Sequence, residues 1–223
     1  LLLRRHGNHL TRKHHVARLD RLIWNRSRTA ASRMLKRVDP GQAALARARI
    51  ALLSQSGGVD GAITRVPTHL RDAPELWFER LQWRRRKNKN ADALTILRDI
   101  SAPRPYTELW AREGRILARR ALLSGDYNNA VQLVSGHGLE RGGEFADSEF
   151  LAGWVRLAFL NEPKAAERHF DTLFNGVGFT ISRARGAYWK ARAANAQGNK
   201  PLATEYWQLA TRHPTTFYGQ HAA

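Results

Sequence analysis

The chain has 223 residues and carries 37 Lys and Arg against 19 Asp and Glu, a formal net charge of +18. An excess of this size predicts attraction to a polyanion, such as nucleic acid, anionic lipid or an acidic matrix, without distinguishing among them. The sequence has no cysteine, which excludes disulfides, thiolate metal sites and cysteine nucleophiles.

Helical periodicity runs along the whole chain, whereas alternating β-branched runs that would predict strands are scarce. No apolar run approaches the roughly 20 residues that a membrane-spanning helix needs, so we expect no membrane span. We predict an all-α protein with helices at 10–24, 27–37, 40–54, 59–66, 73–87, 90–100, 106–124, 127–135, 144–160, 163–175, 180–197 and 200–212, and a further helix that starts at 217.

A glycine or asparagine recurs near the predicted end of alternate helices, beginning with the first. An alanine follows each break after five residues, with spacings of 32, 31, 37, 36 and 37 residues between successive alanines. A larger apolar residue lies four positions further along. The breaks are Asn25, Gly57, Asn88, Gly125, Asn161 and Gly198; the alanines are Ala30, Ala62, Ala93, Ala130, Ala166 and Ala203; the larger residues are Met34, Val66, Leu97, Val134, Phe170 and Trp207.

Each part of this pattern has a physical role. Glycine and asparagine accept the left-handed backbone that ends a helix, and alanine lets the second helix approach the first closely. The larger residue one turn later fills the groove between the helices. A hairpin that recurs every 31 to 37 residues is typical of an α-solenoid. We predict one irregular solenoid of about six hairpins resembling tetratricopeptide repeats, with residues 1–223 as a single domain.

A pair of carboxylates, Glu75 and Glu79, is placed on one face of a predicted helix. A glycosidase needs two carboxyls that flank a bond, one of them with a raised pKa. Because Arg71, Arg80 and Arg84 lie nearby to neutralise the pair, we interpret it as part of a solvated face. We assign no catalytic residue in this chain.

Histidines cluster near the N-terminus, but their spacing disfavours a metal. Zinc on a helix favours histidines four residues apart, whereas His9 and His14 are five apart and His14 and His15 point to different faces. The fourth member of the cluster is His6. We therefore expect no metal site, and since no phosphate-binding or nucleophile motif is present, we expect no cofactor.

Basic residues form three runs that could bind an anionic ligand. "RRRKNK" ends one predicted helix, and "RLDRLIWNRSR" and "SRARGAYWKAR" interleave arginine with aromatic residues. Cations at the end of a helix also stabilise its dipole, and tryptophans at helical spacing also form cores, so each run has a structural interpretation. The candidate anionic-ligand surface consists of Arg84, Arg85, Arg86, Lys87, Arg183 and Arg185.

Several long segments resemble the superhelical region, called the U-domain, of bacterial soluble lytic murein transglycosylases. These are "NHLTRKHHVARLDRLIWNRSRTAASRMLKRV", "FADSEFLAGWVRLAFLNEPKAAERHFDTLFNGV", "ISRARGAYWKARAANAQGNKPLATEYWQLA" and "PTTFYGQHAA". In that family a helical array precedes a lysozyme-like catalytic domain. The resemblance implies an enzyme that cleaves the β-1,4 bond between MurNAc and GlcNAc and leaves a 1,6-anhydro end.

The departure from the family concerns the catalytic domain. The family's catalytic glutamate stands in a Glu-Ser motif, and no Glu in this chain is followed by Ser. The resemblance therefore implies a noncatalytic array, cut at both ends relative to its parent, that engages peptidoglycan or positions the catalytic domain in cis. The resemblance also implies a periplasmic parent. Because the chain opens on "LLLRRHGNHL" without Met, we expect that the signal peptide of this parent is missing here.

Two other function classes stay open. One is a free-standing tetratricopeptide-like module that binds a protein partner. The other is a helical-repeat RNA binder, which the positive charge favours. A base-by-base code requires equal repeats, so the drift from 31 to 37 residues disfavours specific nucleic-acid binding.

Overall fold

A computed structural model describes residues 9–100 and 104–223 of the chain. It is 76% helical, with 13 α-helices and no strand in the part that it describes. The prediction of an all-α, solenoid-like fold is therefore confirmed. Of the helices described, none combines the length and the apolar composition that crossing a bilayer requires.

The helices fall into two compact units, Leu1–Pro105 and Tyr106–Ala223. The single domain expected for residues 1–223 stays a prediction. The first unit contains α1 (Arg12–Trp24), α2 (Arg28–Met34), α3 (Pro40–Ser54), α4 (Val59–Thr64), α5 (Pro74–Arg86) and α6 (Asn90–Asp99). The second contains α7 (Thr107–Leu123), α8 (Tyr127–Ser135), α9 (Gly143–Ala158), α10 (Pro163–Gly176), α11 (Thr180–Ala196), α12 (Lys200–Thr211) and α13 (Phe217–His221).

All the predicted helices are present, and nearly every boundary agrees to within two residues. The exception is the end of α2, where Leu35–Arg37 continue as a 3-10 turn. Helices α1 to α12 pair in chain order as six hairpins. Within the second unit the first helices of successive hairpins, α7, α9 and α11, also contact one another. This stacking of hairpin on hairpin is what defines a solenoid.

The alanine pattern holds in four of the six hairpins. Ala93, Ala130 and Ala166 are fully buried and Ala203 is 3% exposed, as close packing of the second helix requires. The prediction was wrong for Ala30 and Ala62, which are only half-buried. In the first hairpin the next residue along the short helix α2, Ala31, is the buried one. The prediction that a larger apolar residue fills the groove also needs correction at two positions. Leu97 and Trp207 are only half-buried.

The left-handed turns follow the pattern in four hairpins and depart from it in two. Positive φ angles occur at Asn88, Gly125, Asn161 and Gly198, as predicted. The break near Asn25 uses Arg26 instead, with φ of 57°. The break near Gly57 uses its neighbours Gln55 and Gly58, with φ of 53° and 72°. Glycine or asparagine therefore marks the turn without always being the left-handed residue.

One glycine of a first helix is required by an aromatic residue of the second. A Cβ atom added to Gly153 of α9 would lie 2.6 Å from Cε1 of Phe170 in α10. Phe170 is fully buried, and its ring occupies the space that a side chain at position 153 would need. The close helix contact in this hairpin thus uses small residues on both partners, Gly153 and Ala166.

Candidate anionic-ligand surface

The first basic run lies at the C-terminal end of α5. The helix ends because Asn88 adopts a left-handed conformation, after the Lys87 N–H has bonded the Trp83 and Arg84 carbonyls. The side chain of Arg84 donates from Nη1 to the Asp92 carbonyl at 2.9 Å, which ties α5 to α6. Arg86 donates from Nη2 to Gln82 Oε1 at 3.4 Å. Arg84 therefore stabilises the turn between α5 and α6 as well as adding charge.

The members of this run differ in exposure. Lys87 is exposed, whereas Arg84, Arg85 and Arg86 are half-buried. Lys87 has no ion-pair partner among the residues that the structure describes. Its position beyond the last turn of α5 also places its charge where the helix dipole is negative. In this run, Lys87 has the exposure that an outside anion requires.

The other two candidate residues, Arg183 and Arg185, lie on α11 in the second unit. The guanidinium of Arg183 lies over the Phe174 ring of α10, 4.5 Å from its centroid. Arg185 instead lies over Phe150 at 4.6 Å and is ion-paired with Asp147, whose Oδ1 is 3.4 Å from Nη2. The charge of Arg185 is thus partly neutralised within the fold. Arg183 has no ion-pair partner in the described part of the chain.

Arg185 lies at one end of a row of ion pairs, called here the charge ladder, that was not predicted from the sequence. The ladder runs across the first helices of three hairpins, from arginines on α7 through acids on α9 to α11. Arg115 is nearly buried and pairs with both Glu144 and Asp147, while Arg112 pairs with Glu144 at 2.8 Å. Arg112 and Arg115 are three residues apart in the sequence, and so are Glu144 and Asp147. This spacing places the members of each pair on one face of their helix. That spacing is the signal that could have revealed the ladder.

The structure corrects the interpretation of Glu79 as part of a solvated face. Glu79 is 2% exposed, and its Oε2 accepts a hydrogen bond from Arg49 Nε at 3.1 Å. Arg49 is also buried, and its Nη1 donates to Asp20 Oδ1 at 2.6 Å. The reason is that α5 packs on α3, which turns position 79 toward position 49. Burial raises the pKa of Glu79, and the Arg49 charge opposes that change.

A second buried network joins α9 and α10 around Glu149. His137 Nε2 lies 2.9 Å from Glu149 Oε1, and His169 Nδ1 lies 2.7 Å from Oε2. The remaining ring nitrogens accept hydrogen bonds, at His137 from the Leu139 N–H and at His169 from Arg156 Nε. This arrangement leaves the other ring nitrogen of each histidine to donate to a carboxylate oxygen of Glu149. Burial acts to raise the pKa of Glu149, but the hydrogen bonds from both histidines, together with their Coulombic attraction, outweigh it and lower the pKa to about 2.

One of the N-terminal histidines, His14, takes part in helix capping. His14 Nδ1 accepts the Thr11 backbone N–H at 3.1 Å, which makes it part of a capping box that begins α1. The described residues contain no group of three or more His, Cys, Asp or Glu side chains arranged to hold a metal. His6 lies outside the described residues.

Comparison with known proteins gives no assignment. No protein-family model matches the chain, and no curated protein has a significant sequence match to it. The resemblance to a transglycosylase array therefore rests on the quoted sequence segments alone. Of the six candidate residues, Arg84, Lys87 and Arg183 have no ion-pair partner in the described part of the chain, and among these three only Arg84 has a side-chain hydrogen bond, to the Asp92 carbonyl.

Proposed function

We propose that this chain is the noncatalytic helical scaffold of a bacterial lytic transglycosylase of the periplasm. It would hold peptidoglycan or position a catalytic domain that performs the bond cleavage. The observation that carries the proposal is the net charge of +18 on an array of helical hairpins. Peptidoglycan carries carboxylates on its stem peptides, and a cationic array attracts such a polymer without forming a pocket for each sugar.

The physical mechanism is electrostatic and therefore sensitive to salt. Exposed charges separated by more than about 10 Å are largely screened at 0.1 M ionic strength. Binding through Lys87 and Arg183 would add to a general attraction from the other surface cations. Because each exposed pair contributes at most about 1 kcal/mol, useful affinity requires many contacts along the polymer.

A sedimentation assay with purified sacculi tests this proposal. We expect the chain to pellet with sacculi at about 50 mM salt and to be released near about 500 mM. Converting the sacculus carboxylates to amides with a carbodiimide and ammonia should abolish pelleting at low salt. Pelleting that survives amidation would contradict the electrostatic mechanism, and no pelleting at low salt would contradict wall binding.

A matched pair of double variants tests the candidate surface. Lys87→Gln with Arg183→Gln removes two candidate charges whose side chains form neither an ion pair nor a hydrogen bond with any described residue. Arg33→Gln with Arg47→Gln removes two exposed charges of the first unit that are outside the candidate surface. We expect the first pair to reduce pelleting several-fold more than the second, and equal losses would show that only total charge matters.

A zymogram should show no clearing by the chain, since no catalytic residue is assigned.

A second candidate function, a module for a protein partner, is favoured by exposed apolar residues. Phe179 and Ile181 near the start of α11 are 84% and 70% exposed. Side chains of this type at such exposure are more typical of protein contact surfaces than of a polymer-binding surface. If pelleting with sacculi fails while the chain is folded, this function becomes the preferred one.

A further inference from the structure

A cavity of about 390 Å³ lies between α5 and α6 in the first unit. Its apolar lining comes from Trp77, Ile96 and Ile100, and Ile96 is buried while the other two are half-buried. Pockets for small molecules in proteins typically measure about 300–1,000 Å³ and combine an apolar lining with a few polar groups. The cavity therefore has room for a ligand of amino-acid size.

Two arginines of α5, Arg80 and Arg84, line the same cavity. The guanidinium of Arg80 lies over the Trp77 ring, with Cζ 4.1 Å from the ring centroid. Because Trp77 and Arg80 are three residues apart, the helix holds both on one face. This cation–π contact holds the guanidinium over the ring and uses none of its N–H donors in a hydrogen bond.

Arg80 has no hydrogen-bond or ion-pair partner among the residues that the structure describes. Burial lowers the pKa of Arg80, and the charge of Arg84 lowers it further. The charges of Asp60 and Asp72 act on the pKa of Arg80 in the opposite direction. Since no described side chain accepts a hydrogen bond from Arg80, its unused donors match the two oxygens of a carboxylate. Arg84 already donates to the Asp92 carbonyl, which holds it in place as a second cation.

Two carboxylates that line the cavity limit the class of anion that it can bind. Asp72 and Asp99 also line it and are exposed, and neither forms an ion pair in the described part of the chain. The lining thus carries two positive and two negative charges. A phosphate dianion would meet repulsion from both acids, whereas a single carboxylate next to an ammonium group would match both signs.

We propose that this cavity binds an α-carboxylate that carries an apolar side chain, either a free amino acid or the carboxyl terminus of a peptide. The carboxylate binds the edge of Arg80, and the apolar side chain packs on Trp77 and Ile96. Asp72 and Asp99 face the α-nitrogen of the ligand. The proposal does not rest on wall binding, because it uses a cavity for a small molecule and not the net charge of the chain.

The test is an NMR titration of the full chain that follows the indole N–H signal of Trp77, assigned with Trp77→Phe. Four probes are compared: N-acetyl-L-leucine, L-leucine, N-acetyl-L-leucinamide and acetate. With titration to about 20 mM, we expect both acids with a leucine side chain to give saturable shifts, with dissociation constants on the order of 1 mM. The amide lacks the carboxylate and acetate lacks the side chain, so both should bind at least tenfold more weakly.

The two acids also distinguish the sources of the ligand. Tighter binding of L-leucine would identify a free amino acid, because its ammonium group can pair with Asp72 and Asp99. Tighter binding of N-acetyl-L-leucine would identify a peptide carboxyl terminus. Equal shifts with acid and amide, or no saturable shift with either acid, would overturn the proposal without any substitution of Arg80.

Variants then assign the carboxylate contact. Arg80→Gln should weaken binding of the acids at least tenfold, whereas Arg47→Gln, the same change at an exposed site that does not line the cavity, should leave it unchanged. Arg80→Lys retains the charge without the planar donors and should give an intermediate loss. Unchanged affinity in folded Arg80→Gln would overturn the assignment. Sacculus pelleting by this variant reports separately on the proposed function, since losing one charge should barely alter it.

Discussion

Replacing Glu149 by glutamine removes the ion around which α9 and α10 are joined. The side chain of Glu149 is 10% exposed and accepts one hydrogen bond from each of two histidines. Glutamine offers one oxygen and one NH₂ group, so one histidine N–H must face another donor. A change of tautomer at either histidine would lose a hydrogen bond, because Leu139 and Arg156 already donate to the remaining ring nitrogens.

The size of the effect follows from the pKa of Glu149. The pKa falls from an ordinary 4.5 to about 2 in the folded chain, which corresponds to about 3 kcal/mol of stability at neutral pH. Because the folded pKa is the lower one, this stability is fully present above pH 4.5 and is lost as pH falls through about 2. About 1 kcal/mol of it should remain at about pH 3.

Urea denaturation followed by circular dichroism, at several pH values, measures this contribution. The free energy of unfolding of Glu149→Gln should lie about 3 kcal/mol below that of the unchanged chain at about pH 7, and about 1 kcal/mol below it at about pH 3. The control is Glu205→Gln, which neutralises an exposed carboxylate of α12 and should change stability by less than about 0.5 kcal/mol. A difference that does not vary with pH would refute the ionised state, and one below about 1 kcal/mol at neutral pH would refute the network itself.

Two further predictions follow from the same pair of helices. Gly153→Ala should destabilise the chain by about 1–3 kcal/mol, because its Cβ would lie 2.6 Å from the Phe170 ring. Thermal denaturation checks this against Gly178→Ala, whose Cβ meets nothing within 4 Å, and an equal effect of the two would contradict the packing argument. Long-range ¹H–¹⁵N NMR at neutral pH should show His137 protonated on Nε2 and His169 protonated on Nδ1. Any other tautomer pair would refute the proposed direction of the hydrogen bonds.

The helix boundaries could be predicted because they depend on local sequence. Apolar periodicity, N-terminal prolines such as Pro163 and left-handed residues such as Gly125 act within a few positions of the boundary that they define. The same argument was less accurate in the first two hairpins. There the second helices, α2 and α4, have 7 and 6 residues, and a short helix fixes less firmly which residue turns inward. As a result Ala31 took the place expected for Ala30.

Partners of charged residues could not be predicted in the same way. Glu79 lies among arginines in the sequence, yet it pairs with Arg49, which is 30 residues away. The opposite holds for Arg185, which looked available for a ligand but pairs with Asp147, 38 residues away. Charge count alone cannot separate these cases, since it does not tell which helix faces which.

By itself, the sequence determined that the protein is all-α, where its helices begin and end, and that it carries a large excess of positive charge. These properties come from residue type and spacing along one helix. Only the tertiary structure decided which charges are neutralised inside the fold and which, such as those of Arg80 and Lys87, have no ion-pair partner among the described residues. The physical reason is that an ion pair needs two side chains within a few ångströms, and helices distant in sequence meet only when they pack.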